Sequence, residues 1–501
     1  MTNNSFFTEF FQMKLQLSGH EYKYAVEQML STLFPGEKPD YSPGKQKENG
    51  MTINLREAPV YTTATCIYRT EQGTFRGRAA VKTALLTEPV ERDRLCQFAI
   101  KNAVYRAVRS SGLERPPWGA LTGVRPGKLM HAIIPQSENR EEAIRRFVTE
   151  YDVTLPRAEM CYETSLATIE AKQTLSGKDV CLYIGIPFCP TRCAYCSFVS
   201  QATEKNKSLM EPFLEALLQE IAANAEQVKK CGLRVVSIYA GGGTPTTLST
   251  GQLERLCAFV EEQFDCSALR EYTVEAGRPD TITLEKLKVL RKYGVDRVSV
   301  NPQTMRDSVL EAIGRRHTAQ DIREALDKVR TVGGFSVNMD LIAGLPQDDP
   351  EGFAQSLEEV LALKPENITV HTLSLKRGSR LMAERGRIPP AEEVAKMLED
   401  AYAALKREGY APYYLYRQKN MSGGFENTGW TKPGKGNLYN ICMMEELCSI
   451  LASGGGGSTK LIHPEGGRNI RITAPKYPLE YIQQIETICE EKRKIGEFYD
   501  V

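Results

Sequence analysis

The sequence has little tryptophan, little histidine and almost no net charge. It contains two Trp and five His among 501 residues, and 64 Lys and Arg balance 63 Asp and Glu, which leaves a net charge of +1. Because such a chain has no overall field to attract nucleic acid or an anionic membrane, neither is expected as a partner. No run of about 18 apolar residues predicts a membrane span. The first ten residues lack a basic and an apolar region, so no secretory signal is expected.

Cysteine, in contrast, is plentiful. Thirteen cysteines in a long chain without an expected secretory signal indicate metal ligands or buried thiols rather than disulfides, and they fit a reducing, oxygen-poor cytoplasm. Three of them stand close together and are considered next. We interpret each of the others as a buried apolar thiol: Cys66, Cys96, Cys161, Cys181, Cys231, Cys257, Cys266, Cys442, Cys448 and Cys489.

The close triplet is Cys189, Cys193 and Cys196, with spacings of four and three residues. Pro190 lies inside it, which argues against a helix face on which the three thiols only pack. A structural zinc site would need a further nearby Cys or His, and the next cysteine is Cys231. Three thiolates would instead leave one iron of a four-iron cluster open. S-adenosylmethionine (SAM) suits that iron, because its amino and carboxylate groups can chelate it and one electron then frees a 5′-deoxyadenosyl radical. The zinc site and the packed thiols remain alternatives.

Three regions differ in their patterns. Residues 1–175 carry helical stretches (22–33, 91–109) and strands (51–57, 64–70) and form an α/β domain of unreadable function. Residues 176–380 alternate strands with helices, which predicts parallel βαβ units and an open, partial barrel with its chemistry at the strands' C-terminal ends. The strands are expected at 181–186, 234–239, 270–275, 296–301, 335–341 and 367–373. Residues 381–501 form an α+β extension that covers the substrate, with a strand and a helix after residue 458.

The triplet and its flanks resemble the cluster loop of the radical SAM enzymes. Within them the flanks resemble the oxygen-independent coproporphyrinogen III oxidase (dehydrogenase) group, and most of all its HemZ-type branch. The resemblance covers about residues 175–460 and implies a partial (β/α)6 barrel, a 4Fe-4S cluster, SAM and a tetrapyrrole substrate. It also implies an electron donor of the flavodoxin or ferredoxin type.

Residues that match the family's cofactor contacts follow the predicted strands. Gly242, Gly243 and Thr244 form a turn that exposes backbone N–H groups, and the Glu275 carboxylate can accept both ribose hydroxyls. An ordinary turn and a surface or capping carboxylate remain open. By resemblance the SAM contacts are Tyr183, Tyr195, Gly242, Gly243, Thr244, Glu275, Gln303, Arg315 and Asp340, although a charged pair such as Arg315–Arg316 is usually solvated. His371 is interpreted equally as a core or a functional residue.

Basic residues near the expected barrel mouth are the candidates for substrate binding. A tetrapyrrole with four carboxylates would be held well by Arg and Lys through paired hydrogen bonds. Lys376 and Arg377 follow the sixth strand, and Arg417 and Lys419 lie in a Tyr-rich stretch, 409–430. A tail domain with a Tyr-rich core is the alternative for that stretch.

Two positions depart from the family pattern. Relatives with well-supported oxidase activity carry a further Cys where this chain has Phe198 and a His where it has Gly185. Neither is a cluster ligand, so the departure concerns a second SAM and the substrate. We expect an oxidoreductase that decarboxylates coproporphyrinogen III to protoporphyrinogen IX in porphyrin and haem biosynthesis. The alternatives are a haem-binding carrier and a radical SAM methyltransferase that acts on haem.

Overall fold

The computed structural model describes residues 12–34, 37–42, 50–196, 201–374, 381, 388–418, 422–463 and 468–499. They form two compact units. The first comprises the described residues of 1–126, 132–160 and 423–425, and the second those of 127–131, 161–422 and 426–501. The division into domains at residues 175 and 380 stays a prediction.

Strands and helices are numbered here in chain order. The strands are β1 (Gln12–Ser18), β2 (Lys38–Asp40), β3 (Gly50–Arg56), β4 (Tyr61–Thr70), β5 (Gly73–Lys82), β6 (Asp179–Ile186), β7 (Phe188–Cys189), β8 (Gln201–Ala202), β9 (Arg234–Gly242), β10 (Glu271–Glu275), β11 (Arg297–Ser299), β12 (Ser336–Ala343), β13 (Asn367–Thr372), β14 (Ala411–Arg417), β15 (Glu426–Thr431), β16 (Ser449–Gly454), β17 (Ser458–Leu461) and β18 (Ile470–Thr473). The helices are α1 (Lys23–Leu33), α2 (Pro89–Arg109), α3 (Gly127–Ile133), α4 (Arg140–Tyr151), α5 (Leu155–Gln173), α6 (Thr203–Lys230), α7 (Thr250–Gln263), α8 (Leu284–Lys292), α9 (Asp307–Ala312), α10 (Ala319–Val332), α11 (Pro350–Ala362), α12 (Ala391–Arg407), α13 (Leu438–Glu445), α14 (Pro478–Gln483), α15 (Ile485–Glu491) and α16 (Arg493–Tyr499).

The first unit is built on a small sheet in the order β2-β1-β3-β4-β5. In β4, buried and partly exposed residues alternate, so that one face of the strand carries Ala64, Cys66 and Tyr68 into the core. Helices α1 and α2 contribute the apolar residues that pack on this face. The predicted strands at 51–57 and 64–70 and the helices at 22–33 and 91–109 are confirmed as β3, β4, α1 and α2.

The second unit is built on a large sheet in which β6 and β9 to β13 pair side by side in parallel. Helices connect these strands along the chain, as the alternating pattern predicts. The strands are largely buried on both faces: in β6, for example, seven of the eight residues are buried and the remaining one, Tyr183, is partly exposed. Because parallel strands all point the same way, their C-terminal ends form one edge, and the candidate site lies there.

The C-terminal region extends this sheet on both sides, which the sequence pattern did not predict. Strands β15 and β14 add to β13 in antiparallel fashion. On the other side β16 pairs in parallel with β6, from Ser449 opposite Val180 to Gly454 opposite Gly185, and β17 and β18 follow. The described residues from 458 onward hold two strands and three short helices, where one strand and one helix were predicted.

Most of the scattered cysteines are buried, as expected. The exceptions are Cys266 and Cys489, which are partly exposed and correct that prediction. Cys266 lies in the loop before β10, outside any helix or strand, and Cys489 lies on the short helix α15. Among the described helices, none is both long and apolar enough to cross a membrane.

Candidate active site

The cysteine-rich loop begins where β6 ends. Its first part is the short strand β7, where the backbone N–H of Thr244 donates to the carbonyl oxygen of Phe188 at 2.7 Å. Further along, the N–H of Cys196 donates to the carbonyl oxygen of Cys193 at 3.2 Å. Cys189, Cys193 and Cys196 are reduced and partly exposed. The predicted cluster ligands therefore share one accessible loop at the C-terminal edge of the sheet.

The sulfur atoms of this triplet are not gathered for a single ion. The sulfur atoms of Cys189, Cys193 and Cys196 do not all lie within 4.8 Å of one another. In a four-iron cluster each cysteine binds a different iron, so the sulfurs stand further apart than they do around one metal. A spacing wider than that around one metal is compatible with such a cluster.

Arg315, a predicted SAM contact, lies beside this loop. Its guanidinium is buried and donates from Nη1 to the carbonyl oxygen of Asn301 at 2.5 Å. It also faces Tyr195 and Cys193: burial raises the pKa of the Tyr195 hydroxyl, and the Arg315 charge opposes that rise. The structure thus brings two predicted cofactor contacts and one predicted ligand together, and Arg315 is not a solvated surface charge.

Arg278 is a second buried cation at the loop, and the sequence analysis missed it. Its side chain is 3% exposed, and Nη1 donates to both the carbonyl oxygen and Oγ1 of Thr191, at 3.2 and 3.0 Å. Burial raises the pKa of the Cys193 thiol, but the charges of Arg315 and Arg278 outweigh burial and leave it below its usual value. A thiolate is the form of cysteine that binds metal.

Several polar atoms beside the loop are buried without a hydrogen-bond partner among the described residues. They include Nε of Arg315, Nη2 of Arg278 and both ring nitrogens of His317. Burial, together with the two arginine charges, lowers the pKa of His317 to about 3, so this ring is neutral. Unsatisfied buried donors cost free energy that a negatively charged group would offset. The residues around the loop therefore fit an anionic iron–sulfur cluster and the carboxylate of a ligand.

The glycine turn after β9 is braced against the cysteine loop. Gly242 has a φ of +100°, and Gly243 donates its N–H to the Ile186 carbonyl at 2.8 Å. A Cβ at Gly243 would lie 2.5 Å from the Phe188 carbonyl oxygen, so only glycine fits. Next to it, Oγ1 of Thr244 lies 3.4 Å from Sγ of Cys189. The turn touches the loop directly, and its contacts with SAM stay a prediction.

Glu275 ends β10 and is held by its neighbours. Oη of Tyr239 donates to its Oε1 at 2.5 Å, and the Gly242 N–H also donates to the carboxylate. Burial raises the pKa of Glu275 to about 7; the two hydrogen bonds oppose this rise and Asp340 adds to it. A Cβ at Gly241 would lie 2.8 Å from the Glu275 carboxylate, so the glycine makes room for it. Glu275 is therefore a partly buried carboxylate and not a helix cap.

Asp340, on β12, has a different environment. Its Oδ1 accepts from Nδ2 of Asn338 at 2.8 Å, and its Oδ2 lies 3.6 Å from Nε2 of His371 on β13. Burial raises its pKa, but the contacts with His371 and Asn338 outweigh burial and keep it below its usual value. His371, whose role the sequence left open, is thus a partner of a predicted site residue.

Gln303 lies just beyond β11 in a left-handed conformation, with a φ of +70°. Its N–H donates to the Asp340 carbonyl at 2.8 Å, and its own carbonyl accepts from the N–H of Ile342 at 3.0 Å. A non-glycine residue in this conformation costs about 1 kcal/mol or more, and such strain gathers at functional sites. The backbone of β12 holds Gln303 at the same edge as Asp340.

Three tyrosine rings form a stack below the glycine turn. The ring centroids of Tyr239 and Tyr439 are 4.5 Å apart, and that of Tyr183 is 6.5 and 6.2 Å from them. Tyr183 was predicted, whereas Tyr239 and Tyr439 were missed. Strand register could have found Tyr239, because it lies opposite Tyr183 on the neighbouring strand. Tyr439 comes from α13, far away in sequence, and carries no local signal.

Of the four predicted substrate residues, the structure describes only Arg417. Arg417 ends β14 opposite Glu426; burial lowers the pKa of Arg417 to about 10 and the charge of Glu426 opposes that change. Lys376, Arg377 and Lys419 lie outside the described residues, as does Phe198. Their roles stay predictions.

Gly185, the second departure from the family pattern, faces the added strand β16. A Cβ at Gly185 would lie 3.2 Å from the Gly455 carbonyl oxygen, and a Cβ at Gly454 would lie 2.1 Å from the Gly185 carbonyl oxygen. A side chain at residue 185 would therefore require the neighbouring backbone to move by a few tenths of an ångström, whereas residue 454 has no room for one.

Comparison with known proteins agrees with this geometry. The model of the radical SAM superfamily matches residues 183–360. The oxygen-independent coproporphyrinogen-III oxidase-like protein HemZ of Bacillus subtilis (strain 168) is 41% identical over 383 residues, which cover 75% of this chain and 76% of HemZ. The heme chaperone HemW of the same strain is 32% identical over 256 residues, 50% of this chain and 66% of HemW.

Among solved structures, the coproporphyrinogen III oxidase HemN of Escherichia coli, a radical SAM enzyme, has a similar fold. Its TM-score is 0.51 at 24% sequence identity, and the match covers 64% of this chain and 72% of HemN. The match to the superfamily model and the extended identity to HemZ show the family. The chain belongs to the radical SAM superfamily, among the HemZ-like relatives of oxygen-independent coproporphyrinogen III oxidases.

Proposed function

We propose that this chain oxidatively decarboxylates coproporphyrinogen III to protoporphyrinogen IX, as a radical SAM oxidoreductase of anaerobic porphyrin and haem biosynthesis. The likeness to HemZ supports the group. The observation that carries the proposal is the cysteine triplet on a strand-end loop, beside buried guanidinium donors that no described residue satisfies. We also propose that the parallel strands curve into a partial (β/α)6 barrel.

The cluster and the cofactor would be held by different elements. Cys189, Cys193 and Cys196 would bind three irons, and Arg315 and Arg278 would offset the negative charge of the cluster. The glycine turn and Glu275 would hold SAM through backbone N–H groups and the ribose hydroxyls, with Tyr183, Tyr195, Gln303 and Asp340 as further contacts. When bound, the cluster and SAM supply a carbon-centred radical that takes up a hydrogen atom.

The substrate chemistry must balance at each propionate. A hydrogen atom leaves the β-carbon, carbon dioxide leaves the carboxylate, and one electron passes to an acceptor, so a vinyl group remains. Two propionates react per substrate. The chain would have to orient the tetrapyrrole by its carboxylates, for which Arg417, Lys419, Lys376 and Arg377 are the candidates. The region 381–501 would cover the substrate, and a flavodoxin or ferredoxin would supply the electron that SAM cleavage needs.

The test is an anaerobic assay of the reconstituted protein with SAM, a reductant, an electron acceptor and coproporphyrinogen III. Protoporphyrinogen IX should appear together with two molecules of 5′-deoxyadenosine per substrate. The Cys193→Ala variant is the control and should give neither product. Cleavage of SAM without any loss of carbon dioxide from the substrate would overturn the proposal.

A haem carrier is the second candidate. The likeness to HemW favours it, as do Phe198 and Gly185, where oxidases of the family carry Cys and His. In that case haem would bind tightly, with a shifted absorption spectrum, and coproporphyrinogen would be unchanged. A methylated haem product would instead identify a methyltransferase.

A further inference from the structure

A second group of three cysteines meets in a core where the large sheet is joined by a helix and a loop. Cys181 lies on β6, Cys442 on α13 and Cys448 just before β16. The sulfurs of Cys181 and Cys448 are 3.6 Å apart, and all three sulfurs lie within 4.8 Å of one another. Cys181 and Cys448 are 267 positions apart in sequence. Among the described residues, no other such group of Cys, His, Asp and Glu ligands was found.

These distances match the ligand set of a single ion. With metal–sulfur bonds of about 2.3 Å, two thiolates on one metal stand about 3.8–4.0 Å apart, for tetrahedral or trigonal geometry. An iron–sulfur cluster would need a wider set, since its cysteines bind different irons. Three thiols that converge from three separate elements can therefore take one ion after small side-chain rotations.

The surroundings select the kind of ion. The three cysteines are at most 6% exposed, and they share a core with Val236, Ile450 and Tyr439. No carboxylate or imidazole of the described residues joins the ligand group. An all-sulfur site in an apolar core suits a soft d10 ion and disfavours the oxygen-seeking Mg²⁺ and Ca²⁺.

A buried polar atom lies in the same core as the three cysteines. The hydroxyl of Tyr439, in the same core, is buried and has no hydrogen-bond partner among the described residues. Sγ of Cys181 lies 3.6 Å from Sγ of Cys448, close enough for a contact between the two sulfur atoms.

We propose that Cys181, Cys442 and Cys448 bind one thiophilic d10 ion at a second metal site separate from the cluster loop. Three thiolates satisfy Cu⁺, whereas Zn²⁺ would need a fourth ligand from outside this group. On binding, the ion takes the place of the thiol protons, which are released to solvent. The site joins the first parallel strand to the C-terminal segment that pairs with it, because Ile450 of β16 lies opposite Cys181 of β6. It is therefore a structural site whose test does not depend on enzymatic activity.

The test measures metal binding on the full-length chain in which Cys189, Cys193 and Cys196 are all replaced by Ser. This background removes the cluster ligands and leaves the second site. Anaerobically purified protein should retain or take up about one Zn²⁺ or Cu⁺ per chain in competition with a chromophoric chelator. Separate titrations with each ion show which of the two binds more tightly. Substitution with Co²⁺ should give the ultraviolet absorption of a thiolate–cobalt bond.

Matched variants separate the site from chance binding. Cys442→Ser and Cys448→Ser should lose the ion, whereas Cys257→Ser should keep it, because Cys257 is an equally buried thiol of α7 outside the group. The ion should also raise the melting temperature of the parent by several degrees and leave that of Cys448→Ser unchanged. Equal binding by all variants, or none by a folded parent, would show that the three thiols only pack together.

Discussion

The two cysteine triplets of the second unit differ in sequence spacing, in burial and in the distances between their sulfur atoms. Cys189, Cys193 and Cys196 lie within eight residues on a partly exposed loop, and their sulfurs stand too far apart to share one ion. Cys181, Cys442 and Cys448 are far apart in sequence but buried, and their sulfurs meet. Close spacing along a chain thus does not imply close sulfurs, and the reverse holds equally. The first arrangement leaves access for a ligand, and the second encloses whatever it binds.

The charges around the triplets differ in the same sense. Arg315 and Arg278 counter the effect of burial on Cys193 and keep its pKa below the usual value. Around Cys181, hydrogen bonds to neighbouring thiols and burial raise the pKa, with no arginine among the causes. A cluster carrying thiolates is an anion that needs external cations, whereas a single ion brings its own positive charge.

The largest effect is expected from replacing a cysteine of the loop, which should remove the cluster and leave the second triplet unchanged. Replacement of Cys189, Cys193 or Cys196 by Ala should abolish cluster assembly, because each thiolate holds a separate iron. Anaerobically reconstituted parent should contain about four irons per chain with broad visible absorption, and each variant should lose both. Zinc or copper bound at the second triplet should remain. A parent that takes up zinc but no iron at this loop would refute the cluster assignment.

The sequence could predict the first triplet and most of the strands that position it. Cys189, Cys193 and Cys196 are close neighbours, and the apolar runs of β6 and β9 to β13 alternate with helices. Both signals are local, so they survive in a single sequence. Glu275 could be placed at the end of its strand, and Asp340 on its strand, for the same reason.

The missed features all depend on contacts between distant parts of the chain. β16 pairs with β6, although the two strands are far apart in the sequence. Tyr439 on α13 stacks on Tyr239 of β9. The left-handed backbone of Gln303 is imposed by its hydrogen bonds to β12. Each scattered cysteine looked like an isolated buried thiol, because its neighbours in space are not its neighbours in sequence.

The next effect would disturb the loop without touching any cysteine. In Gly243→Ala the added Cβ would meet the Phe188 and Ile186 carbonyl oxygens at 2.5 and 2.8 Å, and these backbone atoms cannot move aside. We expect a loss of about 1–3 kcal/mol in the free energy of unfolding and a comparable weakening of SAM binding, about ten- to a hundred-fold. Chemical denaturation and equilibrium binding measure the two quantities.

Gly251→Ala is the matched control for this substitution. A Cβ there meets nothing within 4 Å, so stability and binding should stay near those of the parent. Metal at the second triplet should be unchanged in both variants. If Gly243→Ala behaved like Gly251→Ala, the turn would not be braced against the cysteine loop.

A smaller effect concerns the ligand and leaves both triplets loaded. Glu275→Gln keeps the shape of the side chain and removes its charge, so SAM should bind about ten-fold more weakly or worse, in line with roughly 1.5–3 kcal/mol for a hydrogen bond to a charged group. Isothermal titration of the reconstituted protein measures this change, and the iron content should equal that of the parent. Equal affinity would assign Glu275 to structure alone.

The same pair of proteins gives a pH test without any ligand. Burial raises the pKa of Glu275 from 4.5 to about 7, so its contribution to the free energy of unfolding is fully present below about pH 4.5 and is lost as the pH rises through about 7. The unfolding free energy of the parent minus that of Glu275→Gln should therefore fall by about 1–3 kcal/mol across this range. A difference that stays flat would mean that the Glu275 carboxyl is not held in its protonated form.

The smallest effect is expected from replacing a buried cysteine that belongs to neither triplet. Cys66 lies on β4 in the core of the first unit, fully buried, and burial raises the pKa of its thiol to about 12. In Cys66→Ala the sulfur leaves a cavity about as large as a methyl group, which should cost about 1 kcal/mol of unfolding free energy. Iron and zinc or copper contents should not change, because Cys66 is not part of the group of described residues whose ligand atoms lie close enough together to share one ion. A change in the metal content of Cys66→Ala would mean that Cys66 is itself a metal ligand. The two triplets would then not account for all the metal-binding cysteines among the described residues.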